Sequence, residues 1–199
     1  MNKESKVKKF FLYFLSFVLI ASANVQAATY VIDTDHTTIE FKVKHLFSWT
    51  KGTFDEYQGQ FTFDPEKPET WQTDVTIKSE SINTRNKARD KHLRSADFFD
   101  VEKFPELNFK SGAMRKIDEE SFELDGDLTL HGVTLPVTLT VIFHGEATDP
   151  WGNTLAGFTA TTQINRKDFG LTWNETVEAG QLLVGEEVMI TLEVEGIKQ

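Results

Sequence analysis

The sequence predicts an all-β protein: a closed antiparallel barrel of about eight strands with one short helical insert. Three observations carry this. From residue 29 onward, short segments alternate apolar and polar side chains with the period of two that a half-buried strand requires. Turn residues recur between those segments at regular spacing. One stretch, residues 83–109, breaks the pattern and places Arg85, Lys87, Arg89, Lys91 and Arg94 in an otherwise acidic chain. Closure is favoured over an open sandwich because it removes exposed strand edges. No composition break, repeat or low-complexity tract divides the chain, so one domain is expected.

Taken in order, residues 29–34 form a first β segment. Residues 38–44 place Ile39, Phe41 and Val43 on one side and Glu40, Lys42 and Lys44 on the other. Residues 52–63 continue as strand, with a phase slip near Gly59 that reads as a bulge or bend. Asp64-Pro65 and Lys67-Pro68 punctuate the chain before a strand at 74–78 with Val75 and Ile77 inward. The basic stretch follows as a short helix lying across the barrel mouth. At helical spacing Arg85, Arg89 and His92 share one face, while Lys87, Lys91 and Arg94 share another. Strands at 107–114 and 122–130 come next. His131-Gly132-Val133-Thr134 is a tight connection, with Gly132 free to take positive φ. Pro136 opens the next strand, with Val137, Leu139, Val141 and Phe143 inward. Residues 149–153 form a turn bearing Trp151, 157–164 are strand, 166–173 a loop, and 188–194 the last strand.

The first residues carry an address. Lys3, Lys6, Lys8 and Lys9 precede a charge-free apolar run over 10–23, and Val25-Gln26-Ala27 presents small residues at a cleavage position. Residues 1–27 therefore read as a secretory signal peptide, and 28–199 as the mature barrel domain of a periplasmic protein. The run is too short to span a bilayer comfortably. The whole chain has a formal charge of −10; removing four lysines and one glutamate with the signal takes it to −13. That field disfavours nucleic acid and anionic membranes, and stable membrane insertion is not expected. With no cysteine, disulfides, thiol catalysis and redox pairs are excluded.

Catalytic signatures are absent. There is no GxSxG elbow, no HExxH and no phosphate-cradling glycine loop. His36, His45, His92, His131 and His144 are not at metal-ligand spacing, so no metal and no cofactor are expected. What stands out is an interior rich in phenylalanine: Phe41, Phe54, Phe61, Phe63, Phe109, Phe122, Phe143 and Phe158 are the candidate pore-lining set. Rigid rings in a small barrel leave slots more readily than leucines do. An eight-stranded barrel is just wide enough to be filled by side chains or to hold one small ligand.

Four dispersed segments then resemble one family: YVIDTDHTTIEFKVKHL, RDKHLRSADFFDVEKFPELNF, GDLTLHGVTLPVTL and GFTATTQINRKDFGL. Together they are similar to the YceI-like, or polyisoprenoid-binding, secreted bacterial proteins. The resemblance spans the mature chain, with Arg89, Asp90, His92, Leu93 and Arg94 aligned on the central motif. It implies a lipocalin-like barrel whose hydrophobic pore takes an isoprenoid chain, such as a quinone tail or a polyprenyl lipid, and implies no catalysis. The expected function is a periplasmic binder or carrier, with transport, storage and stress protection all compatible. Arg85, Arg89, His92 and Arg94 are the candidate head-group residues at the mouth, through phosphate pairing or a His92 bond to a quinone carbonyl. Internal pairing, Asp90 to Arg94, is the structural alternative. Two other functions stay open: an enzyme acting on a related lipid with Asp90 and His92 as acid/base pair, and an interaction module docking through the Trp151 loop. The oligomeric state is open, a homodimer included.

Overall fold

The computed structural model describes residues 27–64, 66–177 and 180–199. The expected signal segment lies almost wholly outside the described residues. Eleven strands and one α-helix follow in order: β1 (Ala28–Ile32), β2 (Thr38–His45), β3 (Ser48–Phe54), β4 (Tyr57–Phe63), β5 (Gln72–Lys78), β6 (Ile82–Asn83), α1 (Lys87–Arg94), β7 (Glu106–Lys116), β8 (Ser121–Leu130), β9 (Val133–Thr148), β10 (Thr154–Asn165) and β11 (Val184–Lys198). Eight of these close a circuit, β1–β4–β5–β7–β8–β9–β10–β11 and back to β1, every pair antiparallel.

The length of β11 makes the closure work. Its far edge is shared: Val184 to Glu193 pair with β2, and Gly196 to Lys198 pair with β1. Strands β2, β3 and β6 thus form a flap that extends the wall beside the circuit. One end of the barrel lies where β2 finishes and β11 starts. The other lies where β11 ends and β9 turns into β10.

Local chemistry explains the connections. The β8–β9 hairpin turns on His131 and Gly132, both at positive φ (52° and 75°), between the paired residues Leu130 and Val133. Two consecutive positive φ values match the twist of the flanking strands. The Phe104 ring lies against this turn, 4.5 Å from the His131 ring, and leaves no room for a Cβ at Gly132. The phase slip expected near Gly59 is resolved differently. The stretch is two strands, β3 and β4, joined at Asp55-Glu56. Asp55 is fixed there by Asn83 Nδ2 at 2.8 Å and by its own backbone N–H on the Ser81 carbonyl at 3.3 Å. β3 pairs with β2 and β6 and β4 with β1 and β5, so the chain turns a corner there; a corner flips the inward phase as a bulge does, and alternation alone does not separate them.

The core has two parts. Near the closed end, Tyr30, Phe61, Phe63, Trp71, Phe122 and Phe158 pack with Met114, Leu124 and Val141. Tyr30 stacks on Phe61 at 5.1 Å, Phe61 on Trp71 at 5.2 Å, and Phe63 meets Phe158 edge-on at 5.1 Å. These are the offset and edge-to-face geometries that aromatic quadrupoles favour. The second part, with Ile39, Phe54, Ile77, Leu107, Ile164, Phe169 and Leu171, lies toward the helix. Among the described residues no helix is long and apolar enough to cross a membrane.

Candidate functional site

Between the aromatic plug and α1 the barrel is hollow. The cavity has a volume of about 530 Å³, and its wall is almost wholly apolar. That lies within the ~300–1,000 Å³ typical of small-molecule sites. Its floor is Phe61, Trp71 and Phe158; its wall includes Ile39, Val75, Leu107, Leu128 and Ile190; its upper end is bordered by His45, Val184, Ala88, Arg89 and His92.

The expected phenylalanines divide between the two halves. Phe41, Phe54, Phe61, Phe109 and Phe158 border the cavity. Phe63, Phe122 and Phe143 do not: Phe63 and Phe122 are sealed in the plug and Phe143 packs against it, 4.8 Å from Phe63. They share the inward phase, but they sit where the strands converge on bulky neighbours. Phe41 and Phe109 are among the lining rings held flat against the wall by missing side chains. A Cβ on Gly52 would strike the Phe41 ring, and one on Gly126 would strike the Phe109 ring. Glycine opposite a phenylalanine lets the ring lie along the sheet and leaves the bore open.

Helix α1 flanks the upper end. Asn86 caps it, its Oδ1 accepting from the Ala88 and Arg89 backbone N–H groups, both at 3.1 Å. Lys91, His92 and Arg94 fall in the last turn, where positive charge suits the helix dipole. Leu93 and Phe99 anchor the segment on the second part of the core, and Phe99 meets Phe54 edge-on at 5.7 Å.

Of the expected head-group residues, only Arg89 and His92 border the cavity. Arg85 precedes the cap, at φ 61°, so it does not share a helix face with them. Arg94 is a brace: Nε donates to the Glu80 carbonyl at 2.6 Å and Nη2 to that of Ile82 at 2.7 Å. Its expected partner Asp90 is elsewhere, buried and accepting from the Thr84 backbone N–H at 2.8 Å and the Thr84 hydroxyl. Arg89 donates to that same hydroxyl at 2.7 Å and to the Thr84 carbonyl at 2.9 Å. The proposed Asp90–His92 acid/base pair therefore does not form; His92 Nε2 sits 3.0 Å from Asp97 Oδ2 instead. The local backbone bonds of Thr84 outcompete the i,i+4 pair, because Asp90 satisfies two buried donors at once.

Among the cavity residues that sequence reasoning passed over are Trp71 and Arg166. Trp71 forms part of the floor and is 6 % exposed. Arg166 is 4 % exposed and borders the cavity just past the end of β10. Nε donates to the Gly185 carbonyl at 2.9 Å; Nη1 donates to the carbonyls of Trp173, at 2.9 Å, and Leu171. Burial pulls its pKa below the ordinary arginine value, against a smaller opposing pull from Glu186. The signal was present: Phe158, Ala160, Thr162 and Ile164 alternate inward, and the same phase carries on to Arg166.

Among the described residues one group has metal-ligand proximity, Asp33, His36 and Glu195. His36 Nδ1 lies 2.8 Å from Asp33 Oδ2 and 3.8 Å from Glu195 Oε1. With His36 exposed, this is a surface ion pair. Of the other histidines, His131 contacts the Phe169 carbonyl at 3.3 Å and His144 the Thr159 hydroxyl at 2.7 Å. Trp151 is exposed at the β9–β10 turn, at the end away from the cavity mouth.

The model of the YceI-like domain matches residues 30–196 of this chain. A UPF0312 protein of Pseudomonas putida strain W619 is 41 % identical over 188 residues, 93 % of this chain and 94 % of that one. Among solved structures, the YCEI protein of Campylobacter jejuni is 34 % identical with a TM-score of 0.68, covering 78 % of this chain and 90 % of its own. A polyisoprenoid binding domain from Saccharophagus degradans superposes with a TM-score of 0.59 at 14 % identity, covering 87 % of this chain and all of that domain, a likeness of fold alone.

Proposed function

The chain belongs to the YceI-like family, and from that premise we propose that it binds and carries an isoprenoid-type lipid, its apolar tail enclosed in the barrel. The observation that carries the reading is the cavity: about 530 Å³ of apolar space, floored by aromatic rings and bordered by α1. Water gains little from such a surface, and a hydrocarbon chain gains about 0.8 kcal/mol per buried methylene, roughly 3–4 kcal/mol gross per five-carbon unit. Three or four units reach about micromolar affinity or better after ordering costs of several kcal/mol. A tail thus binds without an elaborate polar site. The polyisoprenoid binding of the S. degradans domain, which shares the fold, supports the same ligand class.

The basic and apolar opening residues support export to the periplasm, where a carrier shields a tail from water during transport, storage or stress. Ligand binding rather than catalysis is the role the cavity suits, since Asp90 is spent on Thr84. The test is native mass spectrometry, with solvent extraction, of protein purified from the periplasm of its own host. A bound species with isoprenoid mass increments is expected. Protein that is repeatedly empty, and from which isoprenoids displace no apolar fluorescent probe, overturns the reading.

A further inference from the structure

The cavity wall is apolar except for a few groups near its upper end, and one of them is out of balance. Arg166 is a full positive charge, 4 % exposed, whose hydrogen-bond partners are all neutral carbonyls. Among the described residues no carboxylate lies within ion-pair distance of it. Glu186, whose charge acts on it, is 3.0 Å from Lys167 Nζ. Nη2 is buried and has no partner among the described residues, the one such side-chain atom there. An unpaired donor of a buried charge is costly, and structures rarely keep one without a use.

Position adds to the chemistry. Arg166 follows Ile164 in the inward phase of β10 and borders the same cavity. It holds the Trp173 carbonyl, and the Trp173 ring meets His92 of α1 edge-on at 4.8 Å. Arg166, Trp173 and His92 therefore gather at the helix end of the bore, opposite the floor of Phe61, Trp71 and Phe158.

We propose that Arg166 anchors the polar end of the ligand, its guanidinium charge met by an anionic oxygen of a phosphate or carboxylate held beneath α1, with the tail running down to Trp71. The assignment rests on the lipid-carrier reading and fixes the ligand's orientation. A neutral head gains one hydrogen bond there. An anion also neutralises a charge that the fold leaves with dipoles alone, and charge-assisted bonds are the stronger kind. The arginines foreseen for this task are less suited. Arg94 is committed to carbonyls, Arg85 lies off the helix, and Arg89 is exposed and held by Thr84.

The experiment compares four probes with one tail: geranylgeranyl phosphate, geranylgeranoic acid, geranylgeraniol and the corresponding headless hydrocarbon. Each is titrated against the unmutated protein and against Arg166→Met. In the unmutated protein the anionic probes bind about tenfold or more tighter than the alcohol. In Arg166→Met that preference collapses while hydrocarbon affinity is kept to within about threefold. The phosphate and acid arms show which anion is preferred. Binding that ignores the head in the unmutated protein, or a preference that survives Arg166→Met, overturns the anchor and leaves the carrier intact. Failure of all four probes to bind overturns the carrier as well. Because Arg166 also ties residues 171 and 173 to β11, Arg166→Met can fail to fold. A crystal of the unmutated protein with geranylgeranyl phosphate then decides: phosphate oxygen within hydrogen-bond distance of Arg166 supports the anchor, and phosphate outside α1 or on Arg89 overturns it.

Discussion

The two ends of the barrel use the same residue for opposite purposes. At the closed end Phe63 and Phe122 interlock with Tyr30, Trp71 and Phe158 and fill the space between strands. Along the bore, Phe41 and Phe109 lie over glycines and border open space. The difference lies in what faces each ring. A phenylalanine opposite bulky side chains completes a core, one laid over a glycine with open space before it becomes wall, and Phe61, over Gly196, does both. Stability and binding are thereby separated along the barrel axis, and each can be attacked alone.

The largest effect is expected at the plug. Phe122, 1 % exposed, is surrounded on all sides, so Phe122→Ala costs about 3–5 kcal/mol in urea unfolding. Phe109→Ala removes a ring that already faces a void on one side, and its cost falls clearly below that of Phe122→Ala. Equal losses at the two positions would show that the halves do not differ as described. The second effect runs the other way. Gly52→Ala pushes the Phe41 ring off the wall, because the atoms nearest the added Cβ are those of that ring and the Thr84 methyl. Overpacking costs about 1–3 kcal/mol, while affinity for an isoprenoid alcohol, followed by calorimetry, drops more than tenfold as the bore narrows. Unchanged affinity there would remove the glycine from the account.

Smaller effects concern how α1 is held. Asp90→Ala leaves the Thr84 N–H and hydroxyl without an acceptor and costs about 1–3 kcal/mol. Asn86→Ala removes the helix cap and costs about 1 kcal/mol. Hydrogen exchange should accelerate in residues 84–94 and stay slow in β8 and β9. Smallest is the surface pair Asp33–His36. The hydrogen bond from the His36 ring to the Asp33 carboxylate raises the His36 pKa above its ordinary value, and the same bond lowers that of Asp33. A raised histidine contributes fully below its ordinary pKa and loses its contribution as pH rises through the raised one. A lowered aspartate contributes above its ordinary pKa and loses that as pH falls through the lowered one. The pair is therefore fully expressed between the ordinary aspartate and histidine ranges. An NMR titration of His36 should return toward its ordinary value in Asp33→Asn and in high salt.

Much of this was readable from residue order. Alternation located the inward faces of β8 and β9, where Phe122, Leu124, Leu139 and Val141 are buried as expected. His131-Gly132 announced its turn. The inward phase also found the phenylalanines, but not which would meet a partner and which a void, since that depends on neighbours two strands away. The helix was read two residues too early at Arg85, because an Asn86 cap with extended backbone looks like any polar residue in a charged run. Arg166 escaped for a related reason. Beside exposed Lys167 and Asp168 it reads as loop, and only its phase with Ile164 marks it as inward.

The central claim is that the space above the plug receives an apolar tail. A crystal grown with an isoprenoid phosphate carrying bromine at its tail end tests this directly by anomalous scattering. The bromine peak is expected inside the barrel, between Phe61, Trp71 and Phe158. A peak on the outer surface, or a bore holding only water with the ligand in saturating excess, would contradict it.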